Sequence, residues 1–179
     1  MIDPDAILKL PKLPNPDTHT CFGCSGRNPS GLKMEFHSDG AAVYSVLSIP
    51  PHLCGWNDLA HGGVVSTVLD EVMSWSSMHL LKRYILTKSI TVDFLKPVWT
   101  GRRMVAEGKV RERTGEREAV IEGLLYDDAG TLCARSTGTF ALFTSEGIRK
   151  FGLFDSAMVE SFEEVFLGPG GPDTMINEN

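Results

Sequence analysis

One stretch of this chain constrains everything around it. From His61 the sequence runs HGGVVSTVLDEVMSWSSMHLLKRY, with apolar residues at 64, 65, 68, 69, 72, 73 and 80. That spacing is helical. Val68, Leu69, Val72 and Met73 alone make a wide apolar stripe. No Lys or Arg occurs until Lys82 and Arg83, where positive charge suits the C-terminal end of a helix dipole. A helix this apolar has to be covered on most sides. It is also the only long helix the sequence predicts, so its cover has to be sheet.

The flanking segments supply that sheet. GLKMEFHS at 31–38 and AAVYSVLSIP at 41–50 read as two strands joined by the turn pair Asp39-Gly40. The stretch 51–60, PHLCGWNDLA, reads as a loop. After the helix come four more runs, at 85–95, 103–113, 118–127 and 131–143, separated by short polar turns. In the second of them residues 104, 106, 108 and 110 are small or apolar while 107, 109 and 111 are charged, the pattern of a strand with one wet face. The order β-β-α-β-β-β-β predicts an α+β fold, a six-stranded antiparallel sheet wrapped around one long central helix. Residues 1–17 read as an N-terminal tail, because Pro4, Pro11, Pro14 and Pro16 forbid a long helix. The domain then spans 18–147, and 148–179 is an extension with a short helix at 155–166 and a disordered tail.

Composition removes some functions. Hydrophobic residues make up 42% of the chain, enough for a packed core. Lys and Arg number 17 against 23 Asp and Glu, a net charge of −6, which excludes general nucleic-acid binding. No apolar stretch approaches the ~18 residues of a membrane span. The first residues, MIDPDAILKLPKLPNPD, lack the apolar run of a signal peptide, so the expected compartment is the cytoplasm.

Cys21 and Cys24 form a C-x-x-C pair, CFGC. A zinc site normally takes four ligands, and no second pair follows. The expectation is therefore two small half-buried thiols in a turn-rich loop, with no metal and no cofactor assigned. A zinc site completed by histidines or by a second subunit is the rival reading.

The chemistry concentrates at the start of the helix. Gly62 and Gly63 let a ligand approach the backbone closely, and the first N–H groups of a helix have no internal partner. They suit a carbonyl oxygen that becomes an oxyanion. Further along, Asp70 and Glu71 interrupt an apolar helix, where a desolvated carboxylate suits a general base. Periodicity alone does not choose between the two acids. Gly62 and Asp70 are eight residues apart, about 12 Å along the axis. They cannot serve one carbonyl from a single helix. If both act, two copies of the chain must share each site, Gly62 from one and Asp70 from the other.

HLCGWNDLAHGGVVSTVLDEVM resembles the signature of hotdog-fold acyl-CoA thioesterases of the phenylacetate-pathway (PaaI-like) type. CFGCSGRNPSGLKMEF and TKSITVDFLKPVWTGRRMVAEGKV resemble the same superfamily. The resemblance covers roughly 20–145. It implies a homodimer with sheets joined edge to edge, a dimer of dimers above that, and an acyl-CoA substrate. It also implies that Gly62 donates its N–H to the thioester carbonyl and that Asp70 activates water or attacks directly. Thr87 would help to place the water, and His61 would organise the loop, with Gly63 beside it. The family often carries Asn or Gln six residues before the HGG histidine. Here that position is Gly55, and Asn57 is the nearby amide. Lys96, Arg102, Arg103, Lys109, Arg111, Arg113 and Arg117 concentrate positive charge where CoA phosphates would land, with Arg135 a further candidate. Trp56, Trp75, Met78 and Phe94 are candidates for lining the acyl group. Competing readings are a non-catalytic acyl-CoA-binding hotdog protein and a hotdog dehydratase or hydratase.

Overall fold

The structure, a computed structural model, describes residues 3–16, 18–152 and 154–167. In chain order its elements are α1 (Pro4–Ile7), β1 (His37–Ser38), β2 (Val43–Ser48), β3 (Cys54–Trp56), β4 (Leu59–Ala60), α2 (Gly62–Leu81), β5 (Tyr84–Phe94), β6 (Arg103–Arg113), β7 (Glu118–Asp127), β8 (Leu132–Phe143), α3 (Ser145–Phe151) and α4 (Ser156–Phe162). A π-helical turn, Glu163–Leu167, follows α4.

Helix α2 starts where the His61 side chain caps it, accepting the Gly63 N–H at 3.0 Å. It stops at Lys82, which takes the left-handed conformation (φ 53°) and returns its N–H to the Met78 carbonyl. Val64, Val65, Val68, Leu69, Val72 and Met73 are buried. They face a six-stranded antiparallel sheet of order β1-β2-β6-β7-β8-β5. This is the sheet-around-one-helix architecture that the sequence predicts. The helix lies close because two glycines face each other beneath it, Gly108 on β6 and Gly123 on β7. A Cβ on Gly108 would stand 2.5 Å from the Val72 carbonyl oxygen and 2.2 Å from Ser76 Oγ. The strand β5 closes one side of the sheet as an eleven-residue edge, paired with β8 alone among the described residues.

Several boundaries differ from expectation. Only His37–Ser38 of the run 31–38 is strand. Leu32, Met34 and Phe36 are buried in alternation, but their backbone is bonded elsewhere: Leu32 N–H to Phe22 O, Met34 N–H to Gly23 O and Phe36 O to Leu13 N–H. The loop 51–60 holds a small hairpin, β3–β4, turned by Asn57 (φ 47°) and Asp58. The one wet face expected of 103–113 is covered over its first half. Met104 through Gly108 are all buried, Glu107 included. Tyr44 lies opposite Glu107 on β2, and the Tyr126 hydroxyl and the Lys109 ammonium both bond its carboxylate.

Residues 3–16, expected as part of a tail, lie along the domain. Asp3 caps α1, Asp5 pairs with Arg103 at 2.8 Å, and Ile7 and Leu13 are buried. At the other end the helix expected at 155–166 stops at Phe162 and continues as the π-turn, and α3 precedes it. The C-terminal segments dock through aromatic rings. Phe162 stacks on Tyr84 at 4.0 Å and on Phe166 at 4.6 Å, and Phe166 meets Trp75, which stacks on Phe36 at 4.4 Å. The tail expected beyond this point, 168–179, lies outside the described residues.

Candidate active site

The residues of α2 that escape burial form one stripe, and that stripe carries the polar chemistry. Gly62 and Gly63 are exposed at its start, and Ser66, Thr67, Asp70, Glu71 and Ser74 follow along the same side. His61 consumes the Gly63 N–H. The Gly62 N–H makes no hydrogen bond within the described residues and so stays available to a ligand. The ring of Phe94, at the end of β5, lies over Gly62, with Cζ 3.5 Å from where a Gly62 Cβ would be.

The two acids turn to different neighbours. Asp70 faces β5, where the Thr87 hydroxyl donates to its Oδ1 at 2.9 Å. Burial raises the Asp70 pKa above the ordinary carboxylate value, the Thr87 bond works against this, and the nearby Cys21 side chain adds to the rise. Glu71, about 100° further round the helix, turns toward the CFGC loop. Its Oε1 accepts from the Cys21 thiol at 3.1 Å, and burial above all pushes its pKa up to about 8.

The thiols are unequal. The adjoining Cys24 thiol, with the backbone amides of Cys24 and Gly23, holds Cys21 well below the usual thiol value although burial opposes it. The same pairing, with burial, pushes Cys24 up. This cluster borders a mostly apolar pocket of about 530 Å³ whose walls include Trp75, Met78, Ile85 and Phe162. Sequence reasoning left Glu71 open beside Asp70 and did not connect it with the CFGC loop. The signal available was a second acid on an apolar helix in a chain that also carries C-x-x-C.

Residues 57–134 match the family model for the thioesterase superfamily. The fold is the hotdog fold, and this segment is similar to that superfamily. Among solved hotdog structures, the E. coli PaaI protein from the phenylacetic acid degradation operon superposes with a TM-score of 0.57 at 16% identity, over 63% of this chain and 81% of that one. Thioesterase HI1161 of Haemophilus influenzae gives 0.60 at 19% identity, over 68% and 85%. The smu.793 protein of Streptococcus mutans, solved bound to acetyl-CoA, gives 0.57 at 17% identity, over 61% and 87%. A curated relative, "Putative esterase SSO1253" of Saccharolobus solfataricus, is 31% identical over 86 residues, which is 48% of this chain. The match spans only about half of that relative's length, 56%.

Within this hotdog domain the remaining expected residues separate. Gly55 sits on β3, its Cα facing the backbone of His61, and Asn57 is the exposed turn residue of the hairpin. Half of the cationic candidates are already ion-paired: Arg103 with Asp5, Lys109 with the buried Glu107, Arg111 with Glu122 and Arg135 with Asp93. Arg113 donates to the Gly115 carbonyl at 3.1 Å. Lys96 and Arg102 carry no ion pair among the described residues. They line a hollow of about 290 Å³ with Trp99, Asp127 and Asp128. Lys96 also borders a trough of about 440 Å³ that Gly62, Val65 and Phe94 line. Trp75 is core, at 3% exposure, whereas Trp56 is 82% and Phe94 57% exposed. No helix among the described residues is long and apolar enough to cross a membrane.

Proposed function

We propose that the chain hydrolyses an acyl-CoA thioester at a site shared by two copies of itself. The observation that carries this reading is the pairing on α2 of an unbonded Gly62 amide with an Asp70 that Thr87 holds in place. In this reading the amide receives the thioester carbonyl and stabilises its developing negative charge. Asp70 activates water or attacks the carbonyl carbon, and Thr87 fixes the carboxylate and the water beside it. Hydrolysis releases the free acid and CoA.

Two features favour a second copy. The two groups are separated by about 12 Å of helix, so a single α2 cannot bring both to one carbon. The outer side of β5 is a long open edge, and such edges are normally covered. An antiparallel β5–β5 pairing about a twofold axis would cover it and bring Asp70 of one copy toward Gly62 of the other. The exposed Phe94 and Leu95, which line the Gly62 trough, suit the same contact or the acyl chain.

CoA esters are favoured over other thioesters because Lys96 borders the Gly62 trough and, with Arg102, lines a second hollow, where the two cations can meet phosphates. The acetyl-CoA bound to smu.793 shows that this fold accommodates such a ligand in that protein. The test is a panel of acyl-CoA esters read by free-thiol release, with the wild type and Asp70→Asn compared. Turnover of at least one ester by the wild type, and its loss in Asp70→Asn with an unchanged oligomer, is the expected result. Binding of CoA esters with no thiol released by either protein would replace hydrolysis by plain acyl-CoA binding.

A further inference from the structure

The Cys21–Cys24–Glu71 cluster takes no part in the chemistry proposed above, yet it is one of the most constrained places in the molecule. The two sulfurs and the Glu71 carboxylate oxygen all lie within 4.8 Å of one another. A tetrahedral zinc ion, with bonds of about 2.3 Å to sulfur and about 2.1 Å to oxygen, spaces such donors about 3.6–3.8 Å apart. Side-chain rotation is enough to reconcile the two. The donor types discriminate as well. Two thiols and one carboxylate suit a borderline-soft divalent ion and are wrong for calcium or magnesium.

The loop that presents the sulfurs is held at each end. The Gly23 N–H points at Cys21 Sγ at 3.3 Å, and the turn is closed by the Ser25 N–H on the Cys21 carbonyl at 3.2 Å. Asn15 Nδ2 donates to the Cys24 carbonyl at 2.7 Å, while its Oδ1 meets His19 Nε2 at 2.9 Å. His19 in turn accepts the Cys21 N–H at 3.2 Å. Such outer bonds are what fix ligand orientation in metal sites. Gly23 completes the arrangement. A Cβ there would stand 2.2 Å from Glu71 Cγ and 2.3 Å from Cδ, so only glycine lets the carboxylate lie across the C-x-x-C turn.

Charge points the same way. Glu71 has no ion pair with any Lys, Arg or His among the described residues. The acid-type groups around it are the two thiols and Asp70. A half-buried collection of proton-losing donors with no cation of the protein beside it, among the described residues, is costly unless something positive binds.

We propose that Cys21, Cys24 and Glu71 bind one zinc-type divalent cation per chain, with the fourth coordination position facing the apolar pocket between α2 and the C-terminal helices. Three protein donors leave that position for water, and the pocket, which His19 also lines, has ample room for it.

The test uses the full chain, stripped by chelator under reducing conditions and titrated with Co²⁺ and with Zn²⁺. One equivalent of Co²⁺ should give the sulfur-to-cobalt charge-transfer band and intense visible bands of a tetrahedral thiolate site. Zn²⁺ should displace it. Cys21→Ser/Cys24→Ser should abolish the signal. Glu71→Gln should weaken binding more than ~100-fold, above the usual cost of losing an outer-shell contact. Cys54→Ser, at an exposed cysteine, should change nothing. A measurement on the wild type alone covers the case of variants that fail to fold: Zn²⁺ should shield two thiols per chain from a disulfide reagent, and chelator should expose them. Metal uptake by the wild type no greater than by the double serine variant, a cobalt spectrum without the thiolate band, or unshielded thiols would each overturn the site.

Discussion

Gly62→Pro removes a single N–H and almost nothing else. Gly62 is the first residue of α2, the one helical position where proline is preferred, because the N–H there has no intrahelical partner. The preceding His61 already has the extended backbone (φ −63°, ψ 136°) that a following proline demands. A Cβ at 62 meets only Phe94 Cζ at 3.5 Å, ordinary contact. Stability should therefore hold or rise by about 0.4–1 kcal/mol through the stiffer unfolded chain. If the amide stabilises the thioester oxyanion, kcat should fall ~100–1,000-fold, the usual cost of one such donor, about 3–4 kcal/mol. Gly62→Ala keeps the N–H and should retain activity within a few-fold. Subunit mixing then tests the shared site. With Gly62→Pro and Asp70→Asn exchanged at equal amounts, half the dimers are mixed, and each has one complete site of its two. Activity should recover to about a quarter of wild type. The assay is thiol release with thermal melts in parallel and mass spectrometry to verify exchange. A folded Gly62→Pro with wild-type kcat would refute the oxyanion role, and verified mixed dimers with no recovered activity would refute the sharing.

Thr87→Val deletes the hydroxyl that holds Asp70 and should lower kcat ~10–100-fold, from the ~1.5–3 kcal/mol of a hydrogen bond to a charged group, while Thr87→Ser should retain most activity in the same steady-state assay. Lys96→Gln/Arg102→Gln should raise KM for a CoA ester ~10-fold at low salt and leave a pantetheine thioester unaffected. Arg103→Gln/Arg111→Gln, whose wild-type side chains are already bonded to Asp5 and Glu122, should have a smaller effect. Gly108→Ala drives a methyl group against the Val72 carbonyl and should destabilise the fold by about 1–3 kcal/mol in urea titrations, and Trp75→Ala by about 3–5 kcal/mol, since its ring is buried against Phe36 and Phe166.

The fold was legible where pattern and length were strong. The stripe of Val68, Leu69, Val72 and Met73 and four alternating runs after it leave few architectures other than a sheet around one helix. The failures have a common cause: backbone bonding partners distant in sequence. Residues 31–36 alternate like a strand, yet their N–H and C=O groups belong to Phe22, Gly23 and Leu13. Glu107 reads as a wet residue because nothing local announces that Tyr44 and Tyr126 will close over it. At the candidate site the helix start and Asp70 were visible as types at a spacing, and the Thr87–Asp70 contact places two of those residues together. The strip of arginines was legible as charge but not as pairing, since Asp5 and Asp93 come from remote segments. Glu71 was visible as the second acid on the helix but not as a neighbour of CFGC, because that contact depends on a loop fifty residues earlier folding back onto the helix.

That fold-back also decides which side of α2 can receive an ester in the proposed reaction. Adjacent helical positions diverge by about 100°, so Asp70 and Glu71 address two different spaces. The space before Glu71 is walled by the chain itself. The CFGC loop lies against it, and the C-terminal segments border the far side through the stacked rings of Tyr84, Phe162 and Phe166, with the Tyr84 hydroxyl bonded to the Val159 carbonyl at 2.9 Å. The space before Asp70 has no such wall. It opens past Thr87 to the bare edge of β5, and the chain offers nothing further to cover that edge among the described residues. In the proposed reaction a bulky substrate and a second copy of the chain would therefore both meet Asp70 rather than Glu71, although the two carboxylates are neighbours in sequence. Exchanging the pair, Asp70→Glu with Glu71→Asp, keeps the helix charge and removes only the reach of each acid. Thioester turnover should fall with the loss of the Thr87 contact, and a doubly exchanged protein as active as wild type would mean that the partition of the two acids plays no part.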